Sequence, residues 1–370
     1  MPVILLLLSA LAARADTVYD ATQTLVIANP EVTSMAGAGT SFVYGASGLL
    51  LNPAALAYRP YGRGAGTSVT LKLAQHHLRD APTDLAPSLF ALSNDGTLTE
   101  GGVGAATDLG AGGVVGSRLS GSDGLGTTLT VDEWHLALAR GFANGHVLVG
   151  AGSRLLAVRL DEGGITPRLQ GGGLEAGLIL ARIGHGLNVG VTARTPVRAV
   201  ARTVAPEPTP DAPMAPPAGA VAPWQVVVGA SWDSAASHCR SRIPALRVAA
   251  DVVTDGAVED GVAMPAGVES PLQASGIAYT VSPRLGGELE LLPDRLRLRA
   301  GSYLEPSRTT LMEARLHGTG GFELRLFRLK ALSGLVDLDV SWRVAADLAK
   351  GYTHVSWAGI GAWQRPRVVE

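Results

Sequence analysis

The side chains best spaced for chemistry are charged residues in alternating runs. In DRLRLRAGSY, Arg295, Arg297 and Arg299 alternate with Leu296, Leu298 and Ala300, and in LVDLDVSWRV, Asp337, Asp339 and Arg343 share one parity while Leu338, Val340 and Trp342 share the other. On a β-strand a period of two gathers each set on one face. Such a row is either the wet side of a sheet or the lining of a polar lumen, where the charges pair because an arginine facing lipid costs ~2–4 kcal/mol near the bilayer midplane. For these residues structural pairing is a stronger reading than ligand binding.

Other candidates are weaker. His76-His77 and His238-Cys239 are the only clusters of ligand-type side chains. Adjacent strand residues point to opposite faces and cannot easily share a metal, so the histidines read as solvated residues near a strand end. Cys239, the single cysteine, reads as a turn residue and permits no intramolecular disulfide. Gly37-Ala38-Gly39 begins like a dinucleotide fingerprint, but Phe42 stands where the third glycine belongs and no βαβ unit follows. The chain has no Gly-x-Ser-x-Gly elbow, His-Glu-x-x-His helix, Cys-x-x-Cys pair or Walker loop. No enzyme, cofactor or metal site is expected.

Composition narrows the elements that must carry these residues. The charged fraction is 17%, below the ~25% of ordinary soluble domains, and 47 of 370 residues are glycine, well above the usual ~7%. Mean hydropathy is +0.23, yet past residue 15 no window approaches the ~18–20 apolar residues of a membrane helix. Apolar residues spread along alternating strands with a dry outer face account for that combination. With 30 basic and 32 acidic residues, the net charge of -2 gives no footprint for nucleic acid.

The period-two pattern recurs in TSVTLKLAQ (67–75), EWHLALARGF (133–142), LRVAADVV (246–253), FELRLFRL (322–329) and HVSWAGIGAWQ (354–364). Less regular glycine-rich runs bring the total to about a dozen to fifteen strands, many near the ~9–11 residues of a tilted membrane strand. Turn chemistry separates them at NDG (94–96), ANG (143–145), SPR (282–284) and LPD (292–294). The Pro- and Ala-rich stretch 196–223 reads as a long loop that holds no strand. A soluble β-sandwich also alternates, but it must fill a large core, and aromatic residues make up only 5% of the chain. The expected fold is therefore an all-β transmembrane antiparallel barrel over 63–364, with a tail at 365–370.

Residues 1–15, MPVILLLLSALAARA, pair an apolar run with the small-x-small Ala13-Arg14-Ala15 and read as a cleavable export signal. The absence of Lys or Arg before the run leaves a buried first strand or an uncleaved anchor as alternatives. Behind it, TSMAGAGTSFVYGASGLLLNPAALAY (33–58) carries no charged residue or histidine and is broken by glycines. Asn52 suits an N-cap and Pro53 the first helical turn, so a short helix is expected there, continued by Ala54. The glycines ahead of it permit close backbone approach, as a segment folded inside something narrow requires.

An export signal followed by SMAGAGTSFVYGASGLLLNPAALA resembles the N-terminal segment of FadL-type outer-membrane transport proteins, in which a Gly-Ala-rich stretch leads to Asn-Pro-Ala. APWQVVVGASWD (222–233) and LRLRAGSYLEPSR (296–308) are similar to barrel strands of that family. The resemblance implies a barrel of about 14 strands, plugged by residues 16–62, that passes hydrophobic molecules such as fatty acids or hydrocarbons across the outer membrane. Asn52, Pro53 and Ala54 match the motif and are the gating candidates. At the C-terminus the chain departs from the usual aromatic ending, since QRPRVVE follows Trp363. The expected partners are membrane lipid and a hydrophobic small molecule. An anchor or shuttle for exported proteins, with the Pro-rich loop making contacts, and a soluble exported β-protein are the alternatives.

Overall fold

A computed structural model describes residues 18–22, 28–59, 67–80, 96–122, 128–161, 168–201, 219–234, 245–262, 274–293, 295–309, 313–331 and 336–364. The 1–15 signal, Cys239, the 365–370 tail and the centre of the Pro-rich stretch lie outside the described residues.

The chain opens with a short strand β1 (Val18–Asp20), followed by helices α1 (Pro30–Thr33) and α2 (Gly45–Leu49) and a 3-10 turn, Pro53–Ala57. Next come β2 (Ser68–Asp80), β3 (Gly96–Ala106), β4 (Ala111–Ser122), β5 (Thr128–Phe142), β6 (Val147–Asp161) and β7 (Arg168–Ile183). The middle of the chain forms β8 (Leu187–Arg194), β9 (Val197–Ala201), β10 (Gly219–Ala222), β11 (Gln225–Asp233), β12 (Leu246–Asp255) and β13 (Gly261–Val262). The last strands are β14 (Thr280–Leu292), β15 (Leu296–Glu305), β16 (Arg315–Ala331), β17 (Val336–Ala349) and β18 (Tyr352–Gln364).

These strands close into a fourteen-stranded antiparallel barrel. Closure is made by β18 on β2, from Tyr352 opposite Asp80 to Gln364 opposite Ser68. It excludes the sandwich, because the last strand bonds the first long one and leaves no free sheet edge. Each of two staves is built from two pieces: β8 with β9, interrupted at Thr195-Pro196, and β10 with β11, interrupted at Pro223-Trp224. Both breaks carry a proline, which has no N–H for the ladder.

Two loop and turn readings need correction. The flanks of the Pro-rich stretch are strands after all: β9 and β10 pair from Val197 opposite Ala222 to Val200 opposite Gly219, because VRAVA and GAVA hold no proline. Ser282-Pro283-Arg284 is not a turn but part of β14, with Pro283 opposite Val252. The ladder to β15 begins only at Arg284, so the proline sits where one edge of the strand has no backbone partner.

Alternation sorts the side chains cleanly. Leu71 and Leu73 of β2 are exposed while Lys72, Ala74 and His76 are buried, and on β5 Trp134, Leu136 and Leu138 are exposed while His135 and Ala137 are buried. The outer face is an apolar band and the inner face is largely polar, as in a barrel whose outside meets lipid. At the end bearing the longer connections, such as 81–95 and 202–218, the inner face of β3–β7 turns apolar, Leu98, Leu119, Leu129, Leu156, Val158 and Leu169 forming a partial collar, whereas Glu305, Arg315, His317 and Asp347 keep it charged on β15–β17.

The wall parts at that same end, between β10 and the segment after β12. There β1 enters parallel to both β10 and β13, with Tyr19 opposite Ala220 and Val262. Arg308 Nε donates to Asp20 Oδ2 at 2.7 Å and Ser275 Oγ donates to the same oxygen at 2.8 Å. The N-terminal strand thus serves as an extra piece of the wall, fastened by a buried ion pair.

Candidate functional site

The segment behind β1 fills the lumen. α1 is capped by Asn29, whose Oδ1 accepts from Val32 N at 3.2 Å, and it ends where Ala36 and Gly37 take positive φ, 57° and 80°. The helical turn at Asn52-Pro53-Ala54 is a 3-10 turn, with Asn52 Oδ1 accepting from Ala54 N at 2.9 Å. The amide nitrogen of Asn52 reaches Thr40 O and Leu178 O at 3.2 Å and Val191 O at 3.3 Å. One buried side chain therefore caps a turn and binds the plug to β7 and β8.

Further bonds run around the wall. Asp251 Oδ2 accepts from the amides of Gly39 and Thr40, both at 3.0 Å, Ser41 and Ser231 hydroxyls meet at 2.9 Å, and Thr192 Oγ1 donates to Leu51 O at 2.9 Å. The lumenal wall is also shaved to receive the plug. A Cβ on Gly177 would stand 1.9 Å from Asn52 Oδ1, and one on Gly190 2.5 Å from Thr40 O. Glycine is required at those positions by close approach of the plug backbone and its cap.

On β15–β17 the contact is ionic. Glu31, buried in α1, receives Arg343 Nη1 at 2.5 Å. Arg343 Nη2 donates to Glu323 Oε1 at 3.1 Å, while Arg299 donates to Glu323 Oε2 at 2.5 Å and to Glu288 Oε2 at 2.7 Å. Arg297 lies 3.4 Å from Glu290. Arg295 is elsewhere: it precedes β15 in the hairpin turn, its N–H donating to Leu292 O at 2.9 Å, and its side chain is exposed. Asp337 and Asp339 lie on β17 opposite Gln364 and Ala362 of β18; their side chains are outside the described residues.

The histidine reading fails for His76. It is fully buried in the lumen, with Nδ1 3.0 Å from His354 Nε2, whereas His77 faces outward against Trp357, ring centroids 5.1 Å apart. Lumenal parity was readable in Lys72, Ala74 and His76, but the partner on β18 was not. A further buried histidine, His135, lies with Nδ1 3.0 Å from Glu175 and Nε2 3.2 Å from Glu133.

Between plug and collar lies a cavity of about 140 Å³. Leu98, Val131, Leu156 and Ala222 of the collar line it, Val32, Leu50 and Leu51 of the plug lie opposite, and His135, Arg154, Arg194 and Arg284 contribute a polar side. Arg194 is held by Gln225 at 2.6 Å and Glu175 at 3.3 Å, and Gln225 passes the chain on to Asp255 at 2.8 Å. Its wall residues come from strands between β3 and β14, and none from β15–β18. None of these residues forms a motif, because each strand supplies at most three.

No family model matches the chain, and no curated protein sequence does. Solved structures do. The "CymD monoaromatic hydrocarbon channel" aligns at TM-score 0.53 and 15% identity over 92% of this chain and 98% of that one. The Ralstonia pickettii toluene transporter TbuX aligns at 0.52 and 15% over 91% and 98%, and a Pseudomonas aeruginosa FadL homologue at 0.51 and 12% over 91% and 97%. Fold and plug define the class: a plugged fourteen-stranded barrel with the architecture of the FadL-type channels. At these identities the likeness is one of fold.

Proposed function

We propose that the protein is an outer-membrane channel that admits small hydrophobic molecules and is not an enzyme. The observation that carries this reading is the apolar collar running into a cavity that rests on the plug. A cavity of about 150 Å³ is large enough for one benzene molecule, so the 140 Å³ space, apolar toward the collar and lined on its other side by Glu100, Glu133, Arg154, Arg194, Asp255 and Arg284, has room for a single ring. The apolar outer band supports membrane insertion, and the fold shared with hydrocarbon channels supports the cargo class. Asn52, Pro53 and Ala54 act as the gating contact, since moving the 3-10 turn releases the plug from β7 and β8.

Cells carrying the channel should take up toluene faster than cells without it. Leu156→Trp, which fills the cavity from the collar side, should lower that uptake about tenfold or more, a loss equivalent to ~1.4 kcal/mol in the barrier. Heat-dependent gel migration should stay unchanged. Equal uptake by the variant and the parent would overturn the cavity as the route.

A further inference from the structure

The outer surface is not uniform around the barrel. At the end bearing the longer connections, Arg118 of β4, Arg159 of β6, Arg168 of β7 and Arg198 of β9 occupy the parity opposite to the buried Leu119, Val158, Leu169 and Val197. All four therefore face outward. Arg79 of β2 also faces outward at this end, opposite Thr353 of β18, whereas on the far side, from β12 to β17, the outward strand positions are uncharged: Thr254, Val281, Leu304, Leu316 and Leu348. The arginines form a patch and not a ring.

The patch is poorly compensated among the described residues. Arg159 and Arg168 stand directly opposite each other in register, an arrangement of like charges that destabilises a sheet. Asp132 is the one outward carboxylate described beside them; it takes Arg118 Nε at 2.6 Å and lies 3.6 Å from Arg159 Nη2. The Nε of Arg159 is buried without a hydrogen-bond partner. The side chain of Arg118 is 58% exposed and that of Arg159 36%. Two outward steps below Arg159 on the same strand comes Leu155, flanked by Trp134 of β5, and both are exposed. A cationic shelf above an apolar wall matches an anionic amphiphile, with phosphate on the shelf and acyl chains below.

We propose that this flank binds the phosphates of lipopolysaccharide in the outer leaflet. The proposal rests on the outer-membrane reading above, because longer connections mark the extracellular end of such barrels. From β4 to β7 the patch spans three inter-strand steps, about 14 Å. A headgroup with two phosphates on a disaccharide reaches across that width, whereas a phosphoglyceride brings one phosphate.

The test uses full-length protein in neutral detergent, with bisphosphorylated lipid A as the probe and phosphatidylglycerol as the competitor. The parent should bind lipid A, and the double variant Arg159→Gln/Arg168→Gln should bind about tenfold more weakly, as expected for the loss of charge-assisted contacts worth ~1.4 kcal/mol. Without lipid A the same variant should melt at least as high as the parent, because the like-charge pair is relieved. Leu316→Gln, on the far flank, should bind as the parent does. Arg118→Gln serves as a second variant, with weaker binding expected. Heat-dependent gel migration reports barrel closure separately, so a protein that fails as a membrane barrel is distinguished from one lacking this site. Undiminished lipid A binding by the double variant, or equal competition by phosphatidylglycerol, would overturn the proposal.

Discussion

Two flanks of one lumen hold the same plug in different ways. On β15–β17 the plug is clamped: Glu31 enters a buried network with Arg343, Arg299, Glu323 and Glu288, and Thr319 Oγ1 donates to Ser34 O at 3.1 Å. Between β3 and β14 it is tied by Asn52, Thr192 and Asp251 but stands off far enough to leave the cavity. Ion pairs to a plug carboxylate fix one side, while hydrogen bonds to uncharged groups of the plug and open space occupy the other. Breaking a buried ion pair from one side costs about 3–5 kcal/mol, whereas a hydrogen bond is worth ~0.5–1.5 kcal/mol between neutral groups and ~1.5–3 kcal/mol to a charged one. Movement of the plug should therefore begin on the hollow side and pivot about Glu31.

The contrast can be broken from either side. The largest effect belongs to Arg343→Met, which leaves Glu31 buried without its closest cation and should lower stability by about 3–5 kcal/mol in urea unfolding; a loss under ~1 kcal/mol would mean the clamp is ornamental. Next comes Gly177→Val, which drives a side chain into Asn52. It should cost about 1–3 kcal/mol and raise the leak of small solutes, whereas Gly359→Ala, with no atom near its new methyl, should stay within ~0.5 kcal/mol. The mildest of the three disruptive changes is Asn52→Ala, about 0.5–2 kcal/mol from the lost cap, with leak rising and the clamp intact. Should Asn52→Ala prove costlier than Arg343→Met, the assignment of fixed and yielding sides would be reversed.

Much of the fold was legible because alternation is a local signal. LVDLDVSWRV and DRLRLRAGSY announce two-faced strands, and NPAA announces a capped turn. What pairs with what is not local: β18 meets β2 across most of the chain, and β1 joins β10 and β13 across about two hundred residues. Pro283 misled as a turn signal because one missing ladder bond exempts a strand proline. The clamp was half readable. Arg297, Arg299 and Arg343 carry a visible parity, but Glu31 lies just ahead of the uncharged stretch and nothing local links it to β17. The cavity was illegible, since its lining comes from many strands with at most three residues each. Lumenal glycines such as Gly177 and Gly190 did leave a trace, as small residues on the inward parity, but only the plug explains them.

The central claim is that the hollow flank is where a small hydrophobic molecule rests. It is tested most directly by titrating toluene into the purified channel and following its protons by ligand-detected NMR, for the parent and for Leu156→Trp. The account predicts saturable binding to the parent and none to the filled variant, with both barrels folded. Saturable binding of equal affinity to both would contradict it.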